Sequence, residues 1–159
     1  MPPARPRWPV VLAIVILASA LRLWNIGAQS LWIDEGIAWR VATQPGLNEA
    51  VQADPTNPPL YFLLLYLNVR LAGDSEFALR WLSAACGILL VPLIYQLARR
   101  LFSPVAGLFA AVLIACSPPL WWASQEARMY ALMAALAVAA ALAWHQLIRK
   151  PTRNDTVMA

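Results

Sequence analysis

Charge is what this sequence has least of. Of its 159 residues only 13% are charged, and eight of those are acidic; soluble domains carry about a quarter charged residues. Lysine occurs once, at Lys150, and histidine once, at His145. The net charge of +4 is spread in scattered pairs of arginines, without the basic stripe that a nucleic-acid surface needs. No nucleic-acid partner is expected. The two cysteines, Cys86 and Cys116, lie inside apolar runs at no ligand spacing, which argues against a disulfide framework or a cysteine metal site. His145 has no His, Cys or acid close in sequence, so it reads poorly as a metal ligand. Internal repeats and low-complexity linkers are absent too.

What is present is apolar surface. Hydrophobic residues make up 61% of the chain and the mean hydropathy is +0.59, beyond the roughly 45–50% apolar content of soluble domains. A spanning helix needs about 20 mostly apolar residues, and four segments have that length: about 10–26, 77–98, 105–122 and 129–147. A fifth, "PPLYFLLLYLNVRLA" at 58–72, would reach only about 22 Å against a hydrocarbon core of about 30 Å. Charge decides its place. Lys and Arg concentrate in cytoplasmic loops, and three basic clusters stand out: Arg5 with Arg7, Arg99 with Arg100, and Arg149 with Lys150 and Arg153. An even number of crossings must separate each pair, which makes 58–72 a juxtamembrane or re-entrant helix on the outer side. Every acid except Asp155 then lies outside, and most tryptophans fall at the outer boundary.

The expected fold is therefore all-α: a polytopic membrane protein of four transmembrane helices, with both termini cytoplasmic. Its long outer first loop, about 27–74, contains juxtamembrane helices, and residues 1–148 form one module. A tail at 149–159 is expected to be cytoplasmic and disordered. "ASA" at Ala18–Ala20 resembles a signal cleavage site, but the apolar run continues through Leu21, Leu23, Trp24 and Ile26, which favours an uncleaved anchor. Arg22 and Arg80 come close to the outer boundary, where snorkelling would suffice for each.

The outer loop is too rich in Trp, Ile and Leu for disorder or for a simple connector. Its segment "SLWIDEGIAWR" (30–40) can form an interfacial helix on which Asp34 and Glu35 diverge by about 100°. They cannot both aim at one point. Either one faces a cavity while the other bonds a cation or a backbone amide, or both are solvated acids at a helix start, favoured by its dipole. "QEARMY" (125–130) is a second polar island on the same side. Glu126 and Arg128 there form either a local charge balance in a turn or half of a membrane-surface site, where a guanidinium suits phosphate oxygens.

"LWIDEGIAWR", "NPPLYFLLLYL", "SEFALRWLSAACGILLVPLIYQLARRLF" and "SPPLWWASQEARMYAL", in that order, resemble the N-terminal part of the GT-C superfamily of membrane glycosyltransferases. The likeness is to bacterial relatives of protein O-mannosyltransferases (glycosyltransferase family 39) and of lipid A aminoarabinose transferases, and covers about residues 21–147. It implies inverting transfer of a sugar from a polyprenyl-phosphate donor to an acceptor hydroxyl on the outer face of the cell membrane. The acid pair of the first outer loop carries the catalytic carboxylate, which maps onto Asp34 with Glu35 beside it. Arg128, with Arg40 and Arg80, is expected to hold the donor phosphate, and Glu126, Asn57 and Tyr61 to line the substrate site.

Two departures qualify the expectation. Many relatives carry His or Lys before Pro-Pro-Leu-Tyr, at a position that can meet phosphate or metal; here it is Asn57. No cofactor is assigned, although the site leaves room for a divalent metal. Family enzymes also run to several hundred residues, so the chain is read as a truncated portion of one. The competing expectation is a non-enzymatic four-helix membrane protein, flippase-like or an accessory subunit for lipid-linked sugars.

Overall fold

A computed structural model describes residues 8–149; the expected tail and the charges at Arg5, Arg7, Lys150, Arg153 and Asp155 lie outside the described residues. Every regular element described is helical: α1 (Trp8–Leu23), α2 (Ile33–Ala42), α3 (Leu47–Gln52), α4 (Pro59–Ala72), α5 (Glu76–Leu101), α6 (Pro104–Cys116), α7 (Pro118–Ser124) and α8 (Tyr130–Arg149). The boundaries follow local chemistry. Prolines open α4, α6 and α7, where the missing N–H costs no intrahelical bond. Ser75 and Ser103 cap α5 and α6 by accepting from the amides of Ala78 and Ala106. Gly73 closes α4 at φ +83°, a positive-φ backbone that glycine adopts without strain.

α5 is the axis of the molecule, packing against α1, α4, α6, α7 and α8. Two cores lie along it. Near its start, Leu79 joins Ala38 and Val41 of α2, Tyr61, Phe62 and Leu65 of α4, and Ala127 and Met129. Further along, Val91 and Tyr95 meet Val11, Ile14 and Ala18 of α1 and Ala111 and Ala115 of α6. Small residues let the helices approach. A Cβ on Gly87 would collide with Ser124 Oγ, and one on Gly107 would stand 2.9 Å from the Tyr95 carbonyl oxygen. Such close contacts drive helix association where lipid gives no hydrophobic incentive.

Among the described residues the expected four spans are met in part. Two described helices, α5 with 26 residues and α8 with 20, are long and apolar enough to cross a bilayer alone. The predicted span at 105–122 is not straight: α6 and α7 meet at a 59° bend and make a third crossing only as a broken pair. Pro118 and Pro119 cause the break, because neither can donate to the carbonyl four residues back. α1, at 16 residues, belongs with α4 among the shorter apolar helices.

Arg22 and Arg80 correct a second expectation, for neither snorkels. Arg22 is fully buried. Its Nη2 donates to the Ile114 carbonyl (3.0 Å) and its Nη1 to that of Ala115 (3.1 Å). These are the two acceptors that Pro118 and Pro119 leave without helical partners, so the guanidinium stands in for both missing amides. Its Nε also reaches Ser124 Oγ (3.3 Å). In return, Gln125 Nε2 donates to the carbonyls of Arg22 (3.2 Å) and Trp24 (2.9 Å) at the end of α1. Each helix end is closed by a side chain from the other segment.

Candidate active site between α2 and the turn before α8

Asp34 and Glu35 occupy the first turn of α2, where negative charge is favoured by the exposed amides of the helix start. Consecutive helical positions send them in different directions. Glu35 is fully buried. Its Oε1 accepts from Arg80 Nε (2.8 Å) and from the Ala127 amide (2.9 Å), and its Oε2 from Arg80 Nη2 (2.6 Å). This bidentate, charge-assisted pair ties α2 to α5 and, through the Ala127 amide, to the turn between α7 and α8.

Arg80 has no donor left for a ligand. Besides Glu35, it donates through Nη1 to the carbonyls of Ile26 (2.8 Å) and Gln29 (2.9 Å), and through Nη2 to that of Ser30 (3.3 Å). All of a guanidinium's five N–H groups are thus engaged within the chain. The expected phosphate ligand is instead a clamp that holds the 26–30 segment and Glu35 in place.

Asp34 points the other way, its side chain 47% exposed and its Oδ2 3.8 Å from Arg128 Nη1. That distance is an ion pair without a hydrogen bond, so both groups keep capacity for another partner. Arg128 is only 13% exposed, its Nε has no hydrogen-bond partner among the described residues, and its Cζ lies 5.8 Å from the centre of the Tyr130 ring. Its backbone is fixed from behind: Ser83 Oγ donates to the Arg128 carbonyl (3.0 Å) and lies 2.9 Å from the Tyr61 hydroxyl.

Glu126 is buried with Oε1 unpartnered among the described residues. Burial pushes its carboxyl above the usual range, and the charges of Glu35 and Asp34 push the same way, against Arg128. Beside it opens a cavity of about 530 Å³, lined by Glu35, Glu126, Gln125 and the indoles of Trp32, Trp121 and Trp122. Neither Asp34 nor Arg128 is part of that lining.

Of three further expected ligand residues, two have other duties. Tyr61 is a core side chain, 1% exposed, and cannot line a substrate site. Asn57 donates through Nδ2 to Asp54 Oδ2 (2.8 Å), within a turn whose Asp54 also accepts from the Thr56 amide (3.0 Å). Arg40 is exposed near the end of α2 and forms no ion pair among the described residues. No group of three or more His, Cys, Asp or Glu side chains among the described residues is placed to hold a metal ion. Both Glu35 oxygens are engaged within the chain and Asn57 is turned to Asp54, so neither is free to act as a metal ligand. The contacts that sequence reasoning missed are those of Arg22 and Gln125. Their signal was a lone arginine late in an apolar helix, together with a Ser-Pro-Pro step inside another.

Residues 56–159 match the dolichyl-phosphate-mannose-protein mannosyltransferase family. The matched stretch includes Arg80, Glu126 and Arg128 and begins after α2, which carries Asp34 and Glu35. No curated protein and no solved structure matches the chain. A match to transferases disfavours the accessory-subunit reading, and its extent, well over half the chain, carries the assignment: this membrane protein belongs to the dolichyl-phosphate-mannose-protein mannosyltransferase family of GT-C glycosyltransferases.

Proposed function

We propose that the chain carries the base and a phosphate-binding cation of an inverting transferase, which moves a sugar from a polyprenyl-phosphate donor to an acceptor hydroxyl on the outer face of the membrane. The observation that carries this reading is the Asp34–Arg128 pair: a reachable carboxylate 3.8 Å from a guanidinium whose Nε is unspent. Membrane lipids surround it, and the tryptophans at 32, 121 and 122 suit headgroup depth, where a lipid-phosphate sugar arrives.

In the reaction, the acceptor oxygen attacks the anomeric carbon while the bond from that carbon to the donor phosphate oxygen breaks. Asp34 takes the acceptor proton, for which it must come within about 2.6–3.2 Å of the hydroxyl oxygen. The leaving group is already an anion of low basicity, so it needs positive charge rather than a strong acid. Arg128 supplies that charge. Glu126, pushed toward its neutral form by burial, adds little repulsion against the phosphate. Glu35 and Arg80 hold α2 and the Ala127 turn in register, so that base and cation face one another.

The test is transfer of a radiolabelled sugar from polyprenyl phosphate in membranes carrying the protein. Asp34→Asn should abolish transfer with insertion unchanged, and Arg128→Gln should weaken donor binding. An Asp34→Asn protein that still transfers would remove Asp34 from the role of base.

A further inference from the structure

The end of the molecule opposite the Asp34–Arg128 pair carries positive charge that no described carboxylate answers. α5 finishes with Arg99 and Arg100 and α8 with Arg149, with His145 one turn before it. Between the two helices lies a cleft of about 390 Å³ lined by Arg100, His145, Gln146 and Arg149. Every acid among the described residues falls between positions 34 and 76 or at 126, which is the other end of α5 and of α8. The ion pairs among the described residues, Glu35–Arg80 and Asp34–Arg128, are also at that far end. Arg99 is not part of that lining; it faces Gly107 of α6, has a buried Nη1 with no hydrogen-bond partner among the described residues, and its guanidinium lies 5.9 Å from the centre of the Tyr95 ring.

The surroundings of the cleft are apolar and open. Phe102, Trp144, Leu147 and Ile148 are each more than half exposed, on the two helices that form its walls or just beyond them. In a bilayer these side chains face acyl chains, and an indole such as that of Trp144 settles at headgroup depth. The ligand that satisfies both halves of this environment has an anionic head and a hydrocarbon part, as a phospholipid does. Guanidinium groups match phosphate oxygens bidentately, and basic pockets between membrane helices hold anionic headgroups. Free phosphate would meet the cations and leave the rim unused.

We propose that the cleft between the ends of α5 and α8 binds the phosphodiester headgroup of an anionic phospholipid, Arg100 and Arg149 each engaging the phosphate and His145 and Gln146 closing around it. The site is independent of the transfer reaction, since none of its residues touches the Asp34 region.

Native mass spectrometry of the whole protein from a neutral detergent tests this. Phosphatidylglycerol, phosphatidylcholine of the same chain length and inorganic phosphate are titrated separately. With about 1 kcal/mol for each arginine near the surface, retention of phosphatidylglycerol over phosphatidylcholine should be about 30-fold. Arg100→Gln with Arg149→Gln should bring that ratio close to one, Arg100→Lys with Arg149→Lys should keep most of it, and Arg70→Gln at the other end should leave it unchanged. Equal retention of the two lipids by the unmodified protein overturns the proposal, whatever the variants do. Displacement of the bound lipid by millimolar phosphate would overturn it in favour of a free-anion site.

Discussion

Replacing Arg22 by methionine probes the exchange by which a side chain from α1 supplies what two prolines remove from α6. Methionine keeps the length and the apolar stem and deletes the donors. Of the four carbonyl and hydroxyl partners, two lose little. The Ala18 carbonyl lies within regular helix, and Ser124 Oγ still donates to the Leu120 carbonyl (2.6 Å). The carbonyls of Ile114 and Ala115 lose the donors that replaced the missing amides. A buried acceptor left unsatisfied costs about 1–3 kcal/mol, so two cost about 2–6 kcal/mol. Relief from holding a guanidinium with no described counter-ion, itself worth a few kcal/mol, offsets part of this. A net loss of about 3 kcal/mol is expected.

Stability alone would not distinguish this mechanism from simple loss of packing, so the decisive assay is a double-mutant cycle read by reversible unfolding in mixed micelles. Pro118→Ala with Pro119→Ala restores the two amides. In that background Arg22→Met should cost less than it does alone, by about 1–3 kcal/mol of coupling. If the substitutions add within about 0.5 kcal/mol, Arg22 does not stand in for the proline amides and the account of the bend fails.

Two further outcomes follow from the buried charges. Glu35→Gln breaks the bidentate pair and strands Arg80, which should destabilise by about 3–5 kcal/mol; unfolding by denaturant would show it, and a loss below about 1 kcal/mol would mean that the pair is not desolvated. Glu126 is shifted upward in the fold from a starting value of 4.5, so the folded state holds its proton more tightly than the unfolded state. Its contribution to stability is therefore complete below pH 4.5 and is lost as pH rises through the folded value. Glu126→Gln should flatten that part of the stability profile, and an unchanged slope would rule out Glu126 as its source.

Much of this arrangement was legible in the sequence because it rests on local rules. Length and apolarity mark α5 and α8, the Pro-Pro start and insufficient length mark α4 as short, and 3.6 residues per turn alone sends Asp34 and Glu35 apart. The bend at Ser117 escaped notice for a physical reason: hydropathy counts side chains, and Pro118 and Pro119 act through the backbone donors they lack. Arg22 and Arg80 looked like snorkelling residues because chain position gives depth but not neighbours. Their partners are carbonyls from segments distant in sequence for Arg22, and from the 26–30 segment for Arg80. The contact of Asn57 with Asp54 has a local signal, since Asp54, Thr56 and Asn57 have the spacing of an aspartate-centred turn. Tyr61 could be placed only once Ser83 was known to stand opposite it.

α5 has a consequence for the membrane around the protein. Arg80 and Arg99 are separated by roughly 28 Å along its axis at the helical rise, close to the hydrocarbon thickness of about 30 Å. One end is locked to α2 through Glu35 and the other ends among cations that have no ion-pair partner among the described residues. A stretch longer than the hydrocarbon thickness tilts and a shorter one makes the bilayer pucker, so a series of bilayers of graded thickness should change the tilt of α5 and, through the Glu35–Arg80 pair, carry α2 with it.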